Sequence, residues 1–188
     1  MDYVYSTTEN GIATLEFSHS QANCLPLDFL YRLVDELGKL SVDDTVKVVL
    51  LRSAGEKTFC AGAFFDELLQ VDSLEKGKEF FSGFALVLNA IRQCAKPIIG
   101  RAQGKAVGGG VGILACCDYV FATEQASIRL PELSIGIGPF VIAPVIERKM
   151  GIAALSELSF DPEQWKNAYW AEKKGLFARV FELSLIHI

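Results

Sequence analysis

Three short segments of the chain carry residue types suited to chemistry. The first is Gly108-Gly109-Gly110-Val111-Gly112, set between an apolar run and a helical one. Consecutive glycines accept positive φ and let a ligand approach the main chain. The first N–H groups of a helix starting there are unpaired, and its dipole favours negative charge. Such a turn can hold a phosphate or polarise a carbonyl. Tight packing of a helix on a sheet, with no ligand, would use the same residues equally well. Gly110-x-Gly112-x-x-Ala115 also meets the loose dinucleotide pattern, with Glu132 downstream. However, Gln103-Gly104-Lys105-Ala106-Val107 separates the glycines from the preceding strand, and Glu124 is the better-placed ribose acid. The dinucleotide reading is therefore weak.

The second segment is Thr58-Phe59-Cys60-Ala61-Gly62-Ala63-Phe64-Phe65-Asp66-Glu67-Leu68. It follows a short buried strand and so falls near the carboxyl edge of a sheet, where open α/β folds bind ligands. Small residues at 60–63 can expose backbone N–H groups, and Phe64 and Phe65 can wall an apolar pocket. Cys60 has no histidine nearby to activate it, so it reads as a packed core thiol. The third segment is Leu130-Pro131-Glu132-Leu133, followed by Gly136-Ile137-Gly138-Pro139. A carboxyl desolvated there would have a raised pKa and suit proton transfer. A solvated loop glutamate is the commoner case for a single Glu, and the sequence leaves both open.

The elements that must position these segments follow from pattern. Asn10-Gly11 between Val4–Thr7 and Ile12–Phe17 predicts a β-hairpin, since both turn residues tolerate positive φ. Pro26 opens a helix over 27–40, with Leu30, Leu33, Val34, Leu37 and Leu40 in one stripe. A buried strand at 46–51 is followed by a loop over 53–62. A helix over 73–94 turns Phe80, Phe81, Phe84, Leu88 and Ile91 inward. A strand at 97–100, the glycine-rich stretch, a helix at 109–117 and a strand at 119–123 complete the series. Apolar strands alternating with helices predict an α/β protein with a parallel sheet and crossover connections.

Composition narrows the function classes. The 188 residues are 51% hydrophobic and 22% charged, enough for one sizeable core. Lys+Arg 18 against Asp+Glu 23 gives a net charge of −5, and no basic run accompanies it, which disfavours nucleic acid as a partner. Apolar stretches are interrupted well before membrane-spanning length, and the N-terminus has no signal-peptide pattern. The five cysteines form no CxxC, and the two histidines, His19 and His187, are not at ligand spacing from any cysteine pair. Neither a metal site nor a disulfide framework is expected, and a reduced, cytoplasmic protein is.

Taken together, the motifs resemble the enoyl-CoA hydratase/isomerase (crotonase-like) family. The resemblance is carried by Ala22-Asn23-Cys24-Leu25, Phe59-Cys60-Ala61-Gly62-Ala63, Gly104-Lys105-Ala106-Val107-Gly108-Gly109-Gly110, Cys117-Asp118 with Ala122, and Pro131-Glu132 with Gly136. It implies a spiral of ββα units (the ClpP/crotonase fold) and assembly as a trimer or a pair of trimers. It implies an acyl-CoA thioester as substrate, with coenzyme A arriving as part of it and no separate cofactor. The thioester oxygen would be held by the N–H groups of Ala63 and Gly109, with Glu132 as proton carrier. Backbone carbonyls near Ala61 and Phe65 would contact the adenine, and Phe64, Asp66 and Gly108 would border the substrate.

One departure bears on the reaction. The first of the two glutamates of the family's hydratases falls at Gly112. Two carboxylates hold and activate water, whereas one is enough to move a proton between carbons. The departure pushes towards double-bond migration, decarboxylation, hydration with a substitute acid such as Asp66 or Glu67, or a non-catalytic acyl-CoA-binding or assembly subunit. Gly138-Pro139-Phe140-Val141 also departs from the family's Pro-Gly pattern beside the site. The final Leu183-Ser184-Leu185-Ile186-His187-Ile188 can be encoded by a transposon-end sequencing adapter. The expectation is a core at 1–182 lacking the family's C-terminal helices, and a chain that, as written, is inactive and prone to aggregate.

Overall fold

The computed structural model describes residues 2–182, and the expectation for 183–188 falls outside the described residues. Strands β1 (Tyr3–Glu9) and β2 (Ile12–Ser18) form the expected antiparallel hairpin. Its turn holds Asn10 at φ 51° and Gly11 at φ 84°. Helix α1 (Leu27–Val42) starts directly after Pro26 and buries Phe29, Leu30, Leu33, Leu37 and Leu40. Val34 is only partly buried at the rim of that stripe.

Three successive passes then build the rest. The first runs through β3 (Val48–Ser53), β4 (Thr58–Cys60), the single turn α2 (Phe65–Leu68) and the long α3 (Leu74–Gln93). The second runs through β5 (Ile98–Ala102), β6 (Lys105–Val107) and α4 (Gly109–Cys116). The third runs through β7 (Tyr119–Thr123), β8 (Ser127–Arg129), a 3-10 turn (Glu132–Ile135), α5 (Ala143–Met150) and α6 (Ile152–Phe160). Strand β9 (Lys166–Asn167), α7 (Ala168–Lys173) and β10 (Arg179–Phe181) follow.

The first strand of each pass joins a six-stranded sheet ordered β1-β2-β3-β5-β7-β10, parallel from β2 onward. The second strand joins a smaller sheet ordered β4-β6-β8-β9. This repeated division of each strand pair between two sheets is the ββα spiral. Val49, Leu51, Ile98, Val120 and Ala122 are buried on one face of the larger sheet, whereas Arg52, Ile99, Arg101 and Phe121 on its other face are only partly buried.

Two expectations are corrected. The stretch 53–62 contains β4 rather than only loop, because its Thr58–Cys60 backbone pairs with β6. The strand expected at 46–51 instead occupies Val48–Ser53. Its polar end is supported by partners no local pattern reveals: Arg52 pairs with Glu16 on the adjacent strand, and Gln103 Nε2 donates to Ser53 Oγ at 2.9 Å.

Candidate active site

The smaller sheet places the site. Its strands β4, β6 and β8 run parallel, so their carboxyl ends lie side by side. Ala61-Gly62-Ala63 follows the first, Gly108-Gly109 the second and Leu130-Pro131-Glu132 the third. All three segments border one cavity of about 540 Å³. Helix α3 contributes Phe80, Phe81 and Phe84 to its wall, and the stretch before α5 contributes Val141 and Ile142.

Backbone from two of these segments meets there. Gly62 sits at φ 90°, and the position a Cβ would take on it is 2.9 Å from Val107 O and 3.7 Å from Gly109 N. The chain leaving β4 thus passes directly against the start of α4. Gly109 is the first residue of that helix, so its N–H has no partner within it. Gly108 N–H is spent on Arg129 O at 3.0 Å. Among the described residues, neither Ala63 nor Gly109 N–H donates to a protein acceptor. Two free donors beside an apolar cavity can stabilise a negatively charged oxygen there.

Glu132 opens the 3-10 turn and reaches into the same cavity. Burial pushes its carboxyl up from the ordinary 4.5 to about 7, opposed only in part by its own backbone N–H. Its Oε2 is buried with no hydrogen-bond partner. Between the two sequence readings of this residue, the structure gives the desolvated carboxyl, suited to proton transfer near neutral pH.

The other expected residues divide. Ala61, Phe65 and Gly108 line the cavity with Ala63, Gly109 and Glu132. Phe64 and Asp66, expected at the substrate, are not part of its wall. Phe64 is the extended residue that precedes the turn α2, and Asp66 stands about 100° round that turn from Phe65. Phe64 packs instead on His19, ring centroids 5.7 Å apart, and Asp66 is exposed. Glu67, one of the substitute acids, accepts a hydrogen bond from Leu27 N at 3.0 Å and does not line the cavity. Cys60 is fully buried, and desolvation pushes its thiol up to about 12, in keeping with a core role.

The structure also explains Gly112. A Cβ at this buried position would lie 2.6 Å from Ile142 Cγ2 and 3.0 Å from Ile142 Cβ. Ile142, itself a cavity residue, therefore fills the space a side chain at 112 would need. Ile142 and Arg129 were not singled out in the sequence. No local pattern marks either, since each reaches the site through long-range packing.

Fold and site together define a crotonase-type α/β protein. The sequence matches the family model for enoyl-CoA hydratase/isomerase over residues 7–184. The chain belongs to that family. It is 32% identical over 178 residues to the short-chain-enoyl-CoA hydratase of Clostridium acetobutylicum, covering 94% of this chain and 67% of that one. It is 26% identical over 197 residues to the peroxisomal Delta(3,5)-Delta(2,4)-dienoyl-CoA isomerase of Arabidopsis thaliana, covering 96% and 69%. Among solved structures, the enoyl-CoA hydratase of Bacillus anthracis superposes with a TM-score of 0.90 at 27% identity, covering 97% of this chain and 71% of that one. No described helix is long and apolar enough to cross a membrane.

Proposed function

We propose that this chain carries the core of an acyl-CoA enzyme that moves a proton through a thioester enolate, with Glu132 as its single proton carrier. The observation behind the reading is the convergence of two unpartnered N–H groups, Ala63 and Gly109, with the desolvated Glu132 carboxyl on one cavity. In its ionised form Glu132 takes a proton from the carbon between the thioester carbonyl and a 3,4 double bond. The C–H electron pair moves into the carbonyl, and the charge that develops on oxygen is met by the two N–H groups. Losing one such donor typically costs ~10²–10³ in rate. Glu132 then returns the proton to the far end of the dienolate, giving the 2-enoyl thioester. Coenzyme A would lie on the β4 side, past Ala61 and the half-exposed Phe65, with the acyl chain on the β8 side among the apolar side chains.

Ile142 against Gly112 favours proton shuttling over hydration, because an apolar side chain occupies the place where a water-activating carboxylate would stand. The same observation favours a second reading, a non-catalytic acyl-CoA-binding or assembly subunit. Glu132→Gln tests both. Loss of turnover on a 3-enoyl-CoA with thioester binding kept supports the enzyme, and undiminished turnover overturns it. Wild-type binding without turnover on short-, medium- and long-chain enoyl thioesters supports the subunit.

A further inference from the structure

The cavity wall holds one cation, Arg129, and one carboxylate, Glu132. The rest of the wall is apolar side chains and backbone. Arg129 ends β8, and its carbonyl is held by Gly108 N–H. Its guanidinium lies 4.8 Å over the Trp165 ring, and the same ring carries Lys105 Nζ at 4.9 Å. Strand register explains the stacking: Ile128 pairs with Lys166, which puts Trp165 opposite Arg129. Stacking orients the guanidinium but supplies no hydrogen-bond acceptor. Arg129 Nε is buried with no partner, and Arg129 makes no ion pair among the described residues, not even with Glu132 three residues on.

A cation at the wall of an apolar cavity, stacked on a ring but without an ion-pair partner, is costly to cover with hydrocarbon and favourable to cover with an anion. We infer that Arg129 is a specificity residue that binds a carboxylate carried on the acyl chain, so that the preferred substrates are thioesters of dicarboxylic acids. The inference rests on the proposed thioester site. The strand order β4-β6-β8 supplies the direction: Ala61 and Ala63 follow β4, Gly109 follows β6, and Arg129 ends β8. At about 4.8 Å per strand, Arg129 stands about 10 Å from the β4 end, on the far side of the N–H pair from coenzyme A. A carboxylate a few carbons beyond the thioester carbonyl reaches it. A site that pairs a polar group rejects the analogue lacking that group, because the protein's own donor is then left unpaired.

The test uses two unreactive five-carbon thioesters, glutaryl-CoA and valeryl-CoA, with free coenzyme A as a third arm, by titration calorimetry on wild type, Arg129→Gln and Arg129→Lys. Wild type is expected to favour glutaryl-CoA by roughly 10- to 100-fold. Arg129→Gln should bring that ratio to about 1 and Arg129→Lys should keep part of it, whereas a merely structural stacking role would leave the ratio the same in all three proteins. Equal binding of the two thioesters by wild type overturns the inference. So does an Arg129→Gln loss of the same factor for free coenzyme A, which would assign the anion to a coenzyme phosphate. Failure of all three ligands to bind wild type overturns the proposed thioester site itself, and this inference with it.

Discussion

Gly108 and the Glu132 carboxylate are in near contact: a Cβ at Gly108 would lie 2.7 Å from Glu132 Oε1. Gly108 also sits at φ 51°, where L side chains are strained. The glycine therefore serves two ends, turning the chain from β6 into α4 and leaving room for the Glu132 carboxylate. Gly108→Ala should cost roughly 1–2 kcal/mol of stability from the backbone alone. It should also push the carboxylate aside, lowering turnover by at least about tenfold, since small misplacements of a reacting group are expensive. Chemical unfolding and steady-state kinetics on the same variant check the two effects separately.

The raised pKa of Glu132 makes stability depend on pH with a definite sign. The folded carboxyl titrates at about 7 and the unfolded one near 4.5, so the native state holds its proton more tightly. The stabilisation from that tighter proton is complete below about pH 4.5 and is lost as pH rises through 7. It amounts to at most about 3.5 kcal/mol at 1.4 kcal/mol per pKa unit. Glu132→Gln lacks this dependence. Between pH 5 and 8.5, wild type should therefore lose stability relative to the variant in denaturant titrations. Turnover should move the other way, rising through an apparent pKa near 7 as the carboxylate forms. A flat stability difference across that range would contradict the desolvated environment.

Cys60 offers a check on the core. Its side chain is fully buried, and a thiol held at about 12 forms almost no thiolate at pH 8. Native protein treated with iodoacetamide at pH 8 should leave Cys60 unmodified, and unfolded protein should not. Mass spectrometry of the digested chain reads the result. Labelling in the native state would mean that the end of β4 opens.

What the sequence could and could not convey follows from the range of the forces involved. Asn10-Gly11 and the leucine stripe of α1 are local signals, and both elements form where they are expected. Ala63, Gly109 and Glu132 each sit in a motif whose small or proline residues constrain the backbone, and they meet at one cavity. Strands β4 and β6 were not legible, because three residues show no alternation and owe their form to pairing with each other. Phe64 and Asp66 lie off the cavity wall, and which residue of this stretch lines it turns on where α2 begins to within one residue. Arg129 and Ile142 are silent in the sequence. The first acquires its setting from Trp165, 36 residues later, and the second from Gly112, 30 residues earlier.

The Gly112–Ile142 contact yields the sharpest test of the reaction. Gly112→Glu alone should not create a second catalytic acid. Its Cβ would meet Ile142 at 2.6 Å inside a packed region, and its carboxylate would enter an apolar wall. Overpacking of this kind costs about 1–3 kcal/mol, and an unpaired buried charge adds to it. A loss of at least about 2 kcal/mol, or roughly 4–8 °C in Tm for a chain of this size, is expected. Adding Ile142→Ala removes the obstructing branch, so the double variant should regain much of that loss. It would also place two carboxyl groups on the cavity. Incubation with a 3-enoyl-CoA and a 2-enoyl-CoA in ¹⁸O-labelled water then separates the chemistries. Wild type should migrate the double bond without incorporating label, and the double variant should begin to place label on the β-carbon. Fast labelling by wild type would show that another group positions water, and the single-acid mechanism would fall. A Gly112→Glu protein as stable as wild type would show that Ile142 yields easily, so that its packing against Gly112 does not exclude a second acid.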